Sequence, residues 1–161
     1  MAPRKITHYR HFGRELAMQF LFQFDMQDKE YEEGYLIRFF SQLDRSGEFE
    51  DTREYRRGKR YASKLINGIT ENLEKIDSEI CRFISGDWTW ERIALVDRCI
   101  LRVAVYEMLF EDKVPPVVAI NEAVELAKKF ADEPSKPFIN GLLNSVMGTL
   151  KRDHKTGKPK N

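Results

Sequence analysis

The stretch that decides the fold is Trp88 to Glu107, WTWERIALVDRCILRVAVYE. Its apolar residues recur at helical spacing on nearly every side, and a helix greasy all round belongs inside a bundle. Yet it carries Asp97, Arg98, Arg102 and Glu107. An unpaired buried charge is strongly unfavourable, so each of these groups must reach a rim, a partner or one another. The expectation is an all-helical scaffold with a polar seam.

Toward the C-terminus, Val114-Pro115-Pro116 marks a break, and Pro116 suits a first helical turn because its missing N–H has no partner there. The helix that follows turns Ala119, Ala123, Val124, Leu126, Ala127 and Phe130 inward and Asn121, Glu125, Lys128 and Lys129 outward. After a loop at Asp132 to Pro134, Ser135 is a candidate N-cap for a last helix that buries Leu142, Leu143, Val146 and Leu150. Phe138 sits at the edge of that stripe.

Toward the N-terminus, Ile76, Ile80, Cys81 and Ile84 form a short apolar pattern that stops at Ser85-Gly86-Asp87. Before it, a helix opening near Asp51 or Thr52 sets Tyr55, Ala62, Leu65, Ile66 and Ile69 against a basic stripe of Arg53, Arg56, Arg57, Arg60 and Lys64. Such a stripe is usually a solvated face, and it also has the chemistry to contact phosphates. A less informative helix covers about Glu33 to Leu43. The first helix begins near Arg10, with Phe12, Leu16, Phe20 and Phe24, joined by Ala17 and Leu21, as its core face. Arg14, Met18 and Phe22 form a separate i, i+4 ridge that needs cover from a second helix or from another macromolecule. The whole reads as about seven helices with short connections.

At 161 residues the chain suits a single domain, 1–161, with its core over about 10–151 and with basic, flexible ends. A formal charge of +1 does not describe a protein that coats nucleic acid by charge alone. The charge is uneven, however: Arg4, Lys5, Arg10 and Arg14 precede any acid, and Lys151, Arg152, Lys155, Lys158 and Lys160 crowd the tail. Between them, residues 25–54 hold ten acids against four bases. Cys81 and Cys99 form no CxxC pair and read as buried thiols of a reducing compartment. The start of the chain lacks an apolar signal segment and no run approaches the roughly 18 apolar residues of a membrane span, so a soluble cytoplasmic protein is expected.

The inventory for catalysis is nearly empty. His8, His11 and His154 lie at the two ends without metal-ligand spacing, no glycine-rich phosphate loop exists, and no serine has a histidine at helical spacing on its own segment. No enzyme, metal or cofactor is expected. The surplus groups, bases beside aromatics, suit single-stranded RNA, because rings stack on unpaired bases while Arg and Lys neutralise phosphates. For Phe130 and Phe138, edge-of-core packing is the competing reading.

Four segments, RELAMQFLFQ from Arg14, VDRCILRVAVYEML from Val96, VPPVVAINEAVELAKKF from Val114 and KPFINGLLN from Lys136, are each an ordinary helical pattern. Together, in this order and spacing, they closely resemble the NusB family of bacterial transcription antitermination factors over roughly residues 10–151. The resemblance implies an all-α fold of two small packed bundles. It implies a protein that pairs with NusE, a small-subunit ribosomal protein, binds single-stranded boxA RNA, and joins RNA polymerase and other Nus factors, notably on ribosomal RNA operons. By motif position, Arg10, His11 and Arg14 match the arginine-rich RNA-contacting start and Phe130 and Phe138 match aromatics bordering the RNA. Phe22 and Asp97 match positions at the NusE interface, to which the ridge adds Met18. Some members of the family form homodimers.

The chain departs from that pattern where it matters for RNA. His11 and Phe12 stand where arginine is common, and Pro137 replaces a frequent Lys or Arg. Fewer fixed charges imply weaker RNA binding without NusE, with Arg4, Lys5 or Lys136 as candidates to compensate. Two other readings compete: a protein-only adaptor docking on NusE or polymerase, and a fragment of an RNA cytosine methyltransferase, for which the chain has neither a cofactor glycine loop nor a catalytic domain.

Overall fold

The computed structural model describes residues 2–26, 30–86 and 89–155, with side chains to residue 151 at the C-terminal end. Among them are seven α-helices: α1 (Tyr9–Met26), α2 (Glu33–Ser46), α3 (Arg53–Glu71), α4 (Leu73–Cys81), α5 (Leu95–Phe110), α6 (Pro116–Phe130) and α7 (Ser135–Lys155), with one short 3-10 turn at Trp90–Arg92. They form two compact units, Met1–Thr70 and Glu71–Asn161.

In the first unit the expected faces of α1 and α3 supply the core. Phe12, Leu16, Ala17, Phe20 and Leu21 are buried, as are Tyr55, Ala62, Leu65, Ile66 and Ile69. The two helices approach closely because each offers a glycine where they cross. A Cβ on Gly58 would fall 2.5 Å from a Phe12 ring carbon, and one on Gly13 would fall 2.9 Å from the Tyr61 ring. An edge-to-face contact between Phe20 and Phe39, centroids 5.5 Å apart, ties α2 to α1.

α2 outlasts its expected end at Leu43 and stops at Gly47, whose φ of 66° only glycine adopts freely. The extra turn has a purpose. It brings the Asp44 carboxylate under the Tyr55 hydroxyl, which donates at 2.6 Å, and the Lys59 ammonium, which donates at 2.8 Å. α3 opens where Thr52 Oγ1 accepts from the Tyr55 amide at 3.2 Å, and it runs through Asn67-Gly68 without a break.

The N-terminal segment, expected to be flexible, is pinned. The Arg4 amide donates to the Glu48 carbonyl and the Glu50 amide donates back to Arg4, both at 2.8 Å. The Arg4 guanidinium pairs with the Glu48 carboxylate and lies 4.8 Å from the Phe49 ring centroid. Two strand-like hydrogen bonds, an ion pair and a cation–π contact outweigh the entropy of a short arm.

In the second unit α5 is the axis, with α4, α6 and α7 packed on it. Every residue from Cys99 to Leu109 is buried, as the all-round apolar pattern requires. The helix starts later than expected, at Leu95 rather than near Trp88; Trp88 lies outside the described residues. The seam exists as well. Arg102 donates from Nε and Nη2 to the two carboxylate oxygens of Asp77 on α4, both at 2.9 Å. α4 ends at Cys81, short of Ser85, and leaves that thiol exposed, unlike Cys99. No described helix is long and apolar enough to cross a membrane.

Candidate functional site

Each unit carries one candidate surface. In the first, the amino end of α1 sets Arg10, exposed, beside two tyrosines: its guanidinium lies 5.9 Å from the Tyr9 centroid and 5.8 Å from that of Tyr61. Arg57 of α3 covers Tyr9 from 4.0 Å. Tyr9 and Tyr61 meet edge to face at 6.4 Å. A hydrogen bond with Arg10 and the positive charge of Arg10 and Arg57 hold the Tyr9 hydroxyl below its ordinary pKa, which reports a positive local potential. Cations laid over rings in this way present guanidinium edges outward, a geometry suited to phosphates with bases stacked alongside.

Other residues expected here are placed differently. Arg14, foreseen as an RNA contact, is only 4% exposed, with its guanidinium 5.7 Å from the Tyr61 centroid. Met18, foreseen at the NusE interface, is only 2% exposed. The ridge therefore reaches the surface only at Phe22, which is half-buried, as is His11. Periodicity set Arg14 and Met18 off the main core face, but it is blind to what lies opposite a secondary face, and there both are buried. Arg4 is committed to Glu48, and Lys136 lies 3.1 Å from a Glu133 oxygen, so neither is an idle cation. The basic tail from residue 156 lies outside the described residues.

In the second unit, Asp97 and Phe138 share an open recess of about 480 Å³ whose walls include Ile93, Ala94, Pro134 and Ser135. Asp97 is 7% exposed. Its Oδ2 accepts from the Ser135 hydroxyl at 2.8 Å, whereas its buried Oδ1 accepts nothing. Ser135 thus departs from its expected N-cap role: it is the first residue of α7 and spends its hydroxyl on Asp97. Burial pushes the Asp97 carboxyl above its ordinary pKa; the Ser135 hydrogen bond opposes this and the charge of Asp132 adds to it. Phe130 is half-buried at the end of α6, with the Lys129 ammonium 5.3 Å from its centroid.

Sequence reasoning placed Arg57 only in the basic stripe of α3 and missed the rings. Tyr9 and Tyr61, with Arg57, frame Arg10 from two helices, and Trp90 lies under both Arg98 and Arg102, whose guanidiniums are 5.4 and 5.2 Å from its centroid. The one available signal was composition, tyrosine and arginine interleaved over residues 53–61. Among the described residues no cluster of His, Cys, Asp and Glu has the makings of a metal site.

An exposed cation–aromatic cluster and a recess with a carboxylate oxygen lacking a donor, on an all-helical scaffold, are features of surfaces that dock nucleic acid or protein. The family model of the NusB family matches residues 12–148, and the chain belongs to that family. It is 40% identical over 141 residues to the transcription antitermination protein NusB of Bacillus licheniformis, a match that covers 88% of this chain and 98% of the relative. Its fold is similar to that of T. maritima NusB, with a TM-score of 0.71, 34% identity, and coverage of 85% of this chain and 89% of that one. It also resembles a chain from a crystal structure of antitermination factors NusB and NusE in complex with double-stranded RNA, with a TM-score of 0.70, 27% identity, and coverage of 88% and 97%.

Proposed function

We propose that this protein acts by binding and not by catalysis: it pairs with NusE, the pair holds boxA-type single-stranded RNA, and the assembly joins RNA polymerase and other Nus factors in the cytoplasm, notably on ribosomal RNA operons. The match to the NusB family spans both compact units, which supports treating them as one functional domain. In this reading Arg10, His11, Phe130 and Phe138 contact RNA, with Arg14 acting from beneath through Tyr61. Phe22 and Asp97 meet NusE.

The observation that carries the reading is the Oδ1 of Asp97. A buried oxygen without a donor costs stability in the free protein, and a donor from a partner seated in the recess removes that cost on binding. Asp97→Ala and Asp97→Asn are expected to weaken NusE binding about tenfold or more in calorimetry. Unchanged affinity in both variants would take Asp97 out of the interface.

A second reading, the protein-only adaptor, is favoured by the cations that the fold withdraws: Arg14 is buried and Arg4 is committed to Glu48. Arg10→Glu separates the two. It abolishes crosslinking to boxA-type RNA if the cluster is an RNA surface and leaves NusE affinity and RNA crosslinking unchanged if the protein is an adaptor.

A further inference from the structure

The basic stripe of α3 is not accounted for by Arg10 and its rings. Arg53, Arg57, Arg60 and Lys64 recur at spacings of four, three and four, which places them on one face of the helix, opposite buried Tyr55, Ala62, Leu65, Ile66 and Ile69. A solvated helix face ordinarily mixes signs, since like charges at this spacing repel. Between Arg53 and Lys64 the helix holds one acid, Glu54, whose carboxylate is 3.6 Å from Arg57; the next, Glu71, is the last residue of the helix. Arg53 and Arg60 are exposed and have no ion-pair partner among the described residues. Arg53 is also the first residue of α3, where the positive end of the helix dipole disfavours a cation. Neither residue stabilises the helix it sits on.

The stripe meets the α1 cluster at one point, the Tyr9 ring, which Arg57 covers and Arg10 flanks. We propose that the α3 face of Arg53, Arg57, Arg60 and Lys64 is a phosphate-tracking surface that extends the RNA path from Arg10 onto nucleotides flanking the boxA-type core. The proposal rests on the RNA-binding reading above. Three features single out RNA as the occupant: the sign of the face, the choice of arginine beside tyrosine, and the continuity with Arg10. About 16 Å separates the first and last of the four residues along the helix, room for a few nucleotides of extended strand. Contacts to backbone phosphates position a strand without reading its sequence, so the flank is bound whatever its bases.

The test uses the full chain with NusE and two RNAs, a boxA-type core and the same core flanked on both sides by about six uridines. Arg53→Ala combined with Arg60→Ala removes two exposed side chains that support no described contact. The wild-type complex should bind the flanked RNA more tightly. The double variant should bind that RNA roughly tenfold more weakly at low salt, with its salt slope reduced by about 0.7 for each phosphate no longer neutralised, while its affinity for the core stays that of wild type. If the wild-type complex binds the core but gains nothing from the flank, or the variant weakens both RNAs equally, the proposal is overturned and the RNA-binding reading stands. If the variant instead weakens NusE binding in the absence of RNA, the face belongs to the protein partner and the proposal is likewise overturned. If no complex binds the core, both readings fail together.

Discussion

At Asp97, burial and hydrogen bonding pull in opposite directions, and the balance is a carboxyl that ionises reluctantly. A group whose pKa is raised by folding holds its proton more firmly in the native state than in the unfolded one. Its contribution to stability is therefore fully present below the unfolded pKa and is lost as pH rises through the folded pKa. Where it is ionised, Asp97 strains the free protein. Asp97→Asn should consequently raise stability by about 1 kcal/mol at a pH where the carboxyl is ionised, with the gain shrinking as pH falls through its pKa, even as it weakens NusE binding. Denaturant titrations at two pH values check this; a destabilised Asn variant would mean that Oδ1 has a donor after all. A donor from NusE favours the ionised form, so binding measured near the Asp97 pKa should release protons, visible as a dependence of calorimetric heat on buffer ionisation enthalpy. Arg102 shows the opposite solution. Its bidentate bond to Asp77 is the seam's best-made contact, and Asp77→Ala removes both of those hydrogen bonds from a side chain only 6% exposed. The expected cost is about 3 kcal/mol in denaturant unfolding, and an unmoved midpoint would show that the pair does not hold α4 to α5.

Among the elements, the crossing of α1 and α3 is the tightest point in the first unit, and it depends on two glycines that a propensity argument treats as defects. Gly58→Ala puts a methyl against Phe12 and is expected to destabilise by about 1 to 3 kcal/mol, through overpacking. Gly148→Ala in α7 meets nothing within 4 Å and should instead stabilise by about 0.5 to 1 kcal/mol. Thermal melts of the pair should move in opposite directions; movement the same way would show that helix propensity, not the close crossing, governs both positions. Helix existence was legible from periodicity for all seven, and with it the inward faces of α1, α3, α6 and α7. What periodicity misjudged were boundaries: α2 ran on to Gly47, α4 stopped at Cys81, and α5 began only at Leu95. The left-handed turn at Gly47 ends α2 and a separate 3-10 turn at Trp90–Arg92 precedes α5, and neither leaves a period in the sequence.

For the molecule as a whole, the amino end of α1 offers a boxA-type core few uncommitted cations, and the basic face of α3 is left to the flanking nucleotides. Arg4 is bound to Glu48, Arg14 is buried, and His11 and Phe12 stand near the amino end of α1. RNA binding without NusE should therefore be weak and only shallowly salt-dependent, since each neutralised phosphate contributes about 0.7 to the slope for a single strand. Anisotropy of a boxA-type RNA at two salt concentrations, with and without NusE, tests this; tight binding by the protein alone would refute it. The Arg4 anchor belongs to the same scale. Glu48→Ala removes the ion pair but neither the two backbone hydrogen bonds nor the Phe49 contact, and should weaken RNA binding only modestly, because Arg10 also remains framed by Tyr9 and Tyr61.

Sequence alone determined that this chain is all-helical, which faces of its helices turn inward, and, through four motifs in fixed order, the family to which it belongs. Those properties depend on spacing along one helix, and a sequence records spacing directly. Only the tertiary structure decided that Arg102 pairs with Asp77 across 25 residues, that Arg14 and Met18 are buried, and that Asp97 keeps one oxygen without a donor. A partner on another helix is chosen by crossing geometry and loop length, so the same residues at the same spacing would have served equally well with different neighbours.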